Sequence, residues 1–211
     1  MKTMYDPQQA HYVVVTGIVI KDGKYLIARR APHEKAFPNL WTVPGGKLKM
    51  TDYASRPKDT RSHWYNVLED LVRREVLEET GLRLKNIGYL TSMVYVRPDN
   101  IPALIVSLYA AHDGGEVKLC PALTEHAWVT LDEAKNYELI EGIYEELEML
   151  DELLAGKGAG EWKKEKPALA SSATKRSGDG SPISGPSWSW HFSLRISTST
   201  APMIFSSRRS P

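Results

Sequence analysis

Three glutamates, Glu75, Glu78 and Glu79, stand within five positions of one another in "RREVLEETGL", residues 73–82. On a helix such like charges repel, each i,i+4 pair costing roughly 0.2–0.5 kcal/mol. At about 100° per residue the three share an arc of roughly 100°. That arc holds Leu68, Leu71 and Val72 upstream and Leu82 downstream. An apolar stripe of this kind faces the protein body, and carboxylates turned inward with it are costly without cations. Arg73 and Arg74 neutralise part of the charge. A divalent metal is the economical counter-charge for the remainder, and carboxylate oxygens suit Mg2+ or Mn2+. The alternative is a solvated acidic face with ordinary surface pairs.

Upstream, "PGGKLKM" carries Gly45 and Gly46. Glycine allows close backbone approach and positive φ. Joining a strand to an acidic helix, the pair can place a carbonyl beside the carboxylates.

The elements that must position these groups follow from periodicity. "YVVVTGIVI" (12–20) is a continuous β-branched run that predicts a buried strand, and "YLIARR" (25–30) returns from it as a hairpin across "KDGK". "WTVPGGKLKM" is a short strand broken at Pro44-Gly45-Gly46, and residues 51–65 have no clear period. A helix is expected from about Asn66 to Thr80, with Asn66 and Glu69 as a capping box and Gly81 as its stop. Strands are expected at 86–97, 102–111, within "EVKL" (116–119) and over "HAWVTL" (126–131). A short helix and a longer one, about 138–155, end the patterned region. The order β-β-β-α-β-β-β-α predicts a mixed sheet with helices packed on it, an α/β or α+β sandwich.

Composition narrows the function classes. Of the 211 residues, 166–211 carry five net positive charges and 1–165 four net negative ones. The body is thus mildly acidic, and no basic stripe points to a nucleic-acid partner. The lone Cys120 excludes an internal disulfide and fits a reducing, cytoplasmic setting. No apolar run approaches the ~20 residues of a membrane span, and the N-terminal residues have no signal-peptide pattern. After Gly156 the chain turns Ser-rich and acid-poor. Residues 157–211 are therefore expected to be a low-complexity, disordered tail, leaving 1–156 as the domain. Deleting 158–211 is expected to leave melting temperature and activity unchanged.

The ordered motif resembles the signature of the Nudix hydrolase family. That signature is a glycine, five residues, Glu, seven residues, then Arg-Glu-apolar-any-Glu-Glu-any-Gly-apolar. Its second half is complete from Arg74 to Leu82, and Gly46 within "FPNLWTVPGGKL" matches its start. The hairpin "TGIVIKDGKYLIARR" and "EHAWVTLDEA" are similar to the family too, so the resemblance covers about residues 10–155. One position departs. Eight residues before Arg74, where the family has Glu, stands Asn66, and the box (46–82) contains an insertion of about 14 residues around 51–65. Asp52 lies on the far side of that insertion, so no metal ligand is expected at this position.

The resemblance implies an α/β/α sandwich and a divalent-metal-dependent hydrolase. It would attack with water a diphosphate bond in a nucleoside diphosphate linked to another moiety: a nucleoside triphosphate, an oxidised nucleotide, ADP-ribose or a nucleotide sugar. Gly46, Glu75, Glu78 and Glu79 would hold Mg2+ or Mn2+, and Arg74 would fix a carboxylate in a bidentate pair. Glu78, or Glu125 just before the strand "HAWVTL", would act as general base, with Glu116 as a further alternative. Arg29 and Arg30 are placed to meet phosphates and Trp41 to stack on a base. The insertion, with Arg56, Lys58, Arg61, His63, Trp64 and Tyr65, is expected to serve as a substrate lid. The implied partner is a small-molecule nucleotide, and a homodimer is compatible with it. A non-catalytic domain that binds or senses a nucleotide is the competing expectation.

Overall fold

The structure, a computed structural model, describes residues 9–158 and 162. The expected tail thus lies outside the described residues, except for 157, 158 and 162.

Strands β1 (Tyr12–Lys21) and β2 (Lys24–Arg30) form the expected hairpin. Its two turn residues, Asp22 and Gly23, both take positive φ, 50° and 72°, which matches the right-handed twist of the flanking strands. β1 also runs parallel to β6 (Pro102–His112), which carries the antiparallel β5 (Leu84–Val96) on its far side. β3 (Trp41–Thr42) and β7 (Leu123–Val129) pair with β2, and β4 (Gly45–Lys47) pairs with β1. The result is a mixed sheet, seven-stranded among the described residues.

Two faces of this sheet are covered, which explains why β1 reads as an unbroken apolar run. Val15 and Val19 point to α2 (Val67–Thr80) and meet Leu71, Val72 and Val76. Ile18 points the other way, toward Ile143, Leu147 and Leu150 of α4 (Ile143–Leu154). Gly17 sets how closely α2 lies on the sheet: a methyl built there would stand 2.6 Å from Val72 Cγ2.

Several local expectations are corrected. The irregular stretch 51–65 contains one helical turn, α1 (Thr51–Ala54). No capping box forms between Asn66 and Glu69, because Asn66 is left-handed (φ 53°), whereas a capping side chain reaches its N–H from extended backbone. A capping box forms instead at Thr130 and Glu133, opening α3 (Leu131–Ala134). Residues 116–119 are not a strand. Lys118 and Cys120 donate their N–H groups to Thr80 and Glu79 carbonyls at 2.8 and 3.0 Å, satisfying the end of α2 beyond Gly81. β7 begins and ends earlier than expected because Thr130 is used as a cap. α4 starts at Ile143 rather than 138: Gly142 takes φ 91°. The chain before it bonds to β3, through Trp41 N–H to Glu138 O (2.9 Å) and Ile140 N–H to Trp41 O (2.8 Å). Among the described residues no helix is long and apolar enough to cross a membrane.

Candidate metal and phosphate site

Helix α2 carries its glutamates to the glycine pair of β4. The register sets Gly46 opposite Val15 and Gly45 opposite Thr16, directly beneath the helix that packs on β1. The Gly45 N–H donates to Glu79 Oε2 at 2.9 Å. A methyl on Gly46 would overlap the Glu75 carboxylate. Neither glycine takes a positive φ; both are needed for close approach rather than for a turn.

The three glutamates divide. The Glu75 side chain is 14% exposed and Glu78 58%, while Glu79 is half-buried. The inward stripe therefore holds Glu75 and Glu79, and Glu78 sits on its solvent rim. Burial pushes the Glu79 carboxyl up to about 7, opposed by the Gly45 N–H, reinforced by Glu75, lowered by Arg30 and raised by Glu34. Such a carboxylate is short of positive charge.

Arg74 does not grip one carboxylate with both prongs. Its Nη2 lies 2.7 Å from Glu75 Oε1 and 3.3 Å from Asp52 Oδ1, and its Nη1 lies 2.8 Å from Glu78 Oε2. Asp52 is the residue that backward counting missed. The extra residues follow it, and α1 returns it to Arg74, with the Lys49 N–H fixing its other oxygen at 2.7 Å. Counting forward from Gly46, with five residues between, finds it in the sequence.

The remaining candidates are placed as follows. Arg29 and Glu125 face each other across β2 and β7 and pair at 2.7 Å, so one expected phosphate contact and one expected base neutralise each other. Arg30 donates to Ala36 O and pairs with Glu34, each at 2.8 Å, and both charges reach Glu79. Glu34 was not legible as part of the site. Trp41 packs edge-on against Tyr137, ring centroids 4.7 Å apart, within the α4-side core. In the insertion, Arg56 pairs with Asp70 of α2 at 2.5 Å. Trp64 rests on Tyr53, centroids 5.3 Å apart, with the Lys58 ammonium 5.1 Å above it. These groups are engaged with one another and with α2.

Among the described residues no three His, Cys, Asp or Glu side chains converge as a ready cation site. The donor chemistry nonetheless fits a divalent metal. Glu75 and Glu79 are one helical turn apart on the same face, both against the glycine backbone, and Glu79 is desolvated.

A NUDIX domain model matches residues 11–150. Similar curated relatives include the NAD-capped RNA hydrolase NudC of Escherichia coli O1:K1 / APEC and that of Salmonella heidelberg strain SL476. Each is 28% identical over 130 residues, covering 61% of this chain and 42% of the relative. The chain thus matches about two fifths of the length of these relatives. Among solved structures, the MutT NUDIX hydrolase from Burkholderia pseudomallei superposes with TM-score 0.53 at 21% identity, over 66% of this chain and 98% of that one. The NUDIX domain of Shewanella oneidensis NrtR, complexed with ADP ribose, gives TM-score 0.54 at 21% identity, over 72% and 94%. With the mixed sheet, the glycine pair and the Arg74–Leu82 run in place, the family match is decisive, and the chain belongs to the NUDIX domain family.

Proposed function

We propose that the chain hydrolyses a diphosphate bond in a nucleoside diphosphate linked to another moiety, with Mg2+ or Mn2+ as cofactor. The observation that carries this is the pair of inward carboxylates, Glu75 and Glu79, set against Gly45 and Gly46. Glu75, Glu79 and the Gly46 carbonyl would hold the cation, with Glu78 at the rim. When bound, the cation neutralises phosphate charge and lowers the pKa of the attacking water.

The chain's own groups do the rest. Arg74 holds Glu75 and Glu78 in place, as charge-assisted bonds fix orientation. Arg30 supplies positive charge on the phosphate side, and Arg29 does so once it leaves Glu125. Glu78 or Glu125 takes the water's proton; both start in an ion pair that must open. The partner is a small-molecule nucleotide in a cytoplasmic setting.

The test is a substrate panel with Mg2+ and with Mn2+: ADP-ribose, nucleotide sugars, canonical and oxidised dNTPs, dinucleoside polyphosphates, and the NAD-capped RNA named for the relatives. Metal-dependent release of two phosphate-bearing products from at least one compound is expected. No cleavage of any by folded protein would contradict the proposal. One observation favours a second reading: Arg74 already engages three carboxylates, as a non-catalytic nucleotide-binding domain would allow. Tight nucleotide binding with no metal-stimulated product would decide for that reading.

A further inference from the structure

We propose that Arg56 and Asp70 form a brace that positions Asp52, and through it Arg74 and Glu75, so that the inserted segment supports the metal site from behind. This rests on the metal reading of Glu75 and Glu79 given above.

Helix α1 contributes no buried residue. Between it and α2 lies a cavity of about 230 Å³, lined by Tyr53, Val67 and Leu71 together with Asp52, Arg56, Asp70 and Arg74. Apolar packing therefore does not fasten α1 to the helix that carries the box. Two ion pairs do so: Arg56–Asp70 at 2.5 Å and Asp52–Arg74 at 3.3 Å. The first is the shorter, and its arginine is held on several sides. Arg56 Nη2 donates to Tyr65 O at 2.7 Å, and Trp64 Nε1 donates to Arg56 O at 3.1 Å. Trp64 in turn rests on Tyr53, the neighbour of Asp52. Thus Arg56, held by Trp64 and the Tyr65 carbonyl, ties the insertion to α2.

The consequence for the site is electrostatic. Arg74 divides its charge among Asp52, Glu75 and Glu78. Asp52 draws that charge away from Glu75, leaving Glu75 easier for a cation to claim. If the brace is cut, α1 is tied to α2 by the longer pair alone. Asp52 then drifts, the charge of Arg74, already 2.7 Å from Glu75, is no longer shared with Asp52, and a cation must displace a stronger Glu75 ion pair. Arg56 and Asp70 are positioning residues: neither is placed to touch substrate or metal. Groups of this kind affect metal affinity more than stability, because partly exposed pairs add little to folding.

The experiment is a calorimetric Mn2+ titration of the full chain without substrate. Arg56→Ala is expected to weaken Mn2+ binding about tenfold with a nearly unchanged metal-free melting temperature. Asp70→Ala, at an exposed helix position where alanine is favourable, does the same and carries the test if Arg56→Ala fails to fold. Asp52→Asn weakens binding similarly, and adding Arg56→Ala to it weakens binding no further, since the two act in series. Wild-type affinity in the folded single variants, or full additivity in the double variant, would overturn the brace. If the wild-type chain itself binds no Mn2+, the metal reading falls and the brace with it.

Discussion

Gly46 and Glu75 form the tightest juxtaposition in the site, since a single added methyl would occupy the carboxylate's place. Gly46→Ala is therefore predicted to abolish the rise in melting temperature that Mn2+ produces, while costing little metal-free stability. Glu79→Gln is predicted to lower turnover roughly a thousandfold, about 4 kcal/mol of transition-state stabilisation, with circular dichroism unchanged. Glu125→Gln tests the proton acceptor. A large loss of turnover there, with Glu78→Gln mild, would assign the base to Glu125; the reverse would assign it to Glu78. At this scale the sequence was informative where spacing along one helix fixes direction, as for Glu75 and Glu79. It was uninformative where two distant strands meet. Nothing local states that Arg29 and Glu125 are register partners, or that Glu34 comes within reach of Glu79. The tie of Asp52 to Arg74 was not legible, because counting backward from Arg74 runs into the inserted residues.

At the scale of elements, the sheet holds α2 on one face and α4 on the other, and each has one position that tests its packing. Gly17→Ala would push Val72 from β1. Overpacking of this sort costs about 1–3 kcal/mol, so a melting temperature several degrees lower is expected by calorimetry. On α4, Glu146 is 1% exposed, and its carboxyl faces the Ser107 hydroxyl without a well-formed hydrogen bond. Burial raises its carboxyl to about 7, with the Ser107 hydroxyl opposing and the Glu145 charge adding. The ordinary value of a glutamate is 4.5, so between that pH and about 7 the folded chain binds the extra proton. Its contribution to stability therefore falls as pH rises through this window, by up to about 3 kcal/mol. Glu146→Gln is predicted to melt higher than wild type at pH 8 and nearly equal to it at pH 5; an unchanged difference across that range would contradict the assignment. Strands β1, β2 and β6 and helix α2 were legible because their patterns agree with their burial. The ends of elements were not. Asn66 stands at the N-cap position as read, but its left-handed backbone makes no side-chain cap, and the backbone of "EVKL" serves the end of α2 rather than the sheet.

For the whole molecule, the mixed sheet brings two sequence-distant segments to one place, the Gly45–Lys47 strand and the acidic helix, with residues 48–66, including α1, connecting them. The α+β class was readable from the order of elements. The parallel pairing of β1 with β6, which sets β1 between β2 and β6 beneath α2, was not, because it joins strands about ninety residues apart. The proposed role of Glu75 and Glu79 is to hold a divalent cation for diphosphate hydrolysis. Its most direct test is the initial rate of cleavage of the best panel substrate, titrated with Mg2+, for wild type and for Glu79→Gln. A saturable Mg2+-dependent rate is expected in wild type, abolished by chelation, and almost none in folded Glu79→Gln. Equal rates in the two proteins, or a wild-type rate unaffected by chelation, would contradict it.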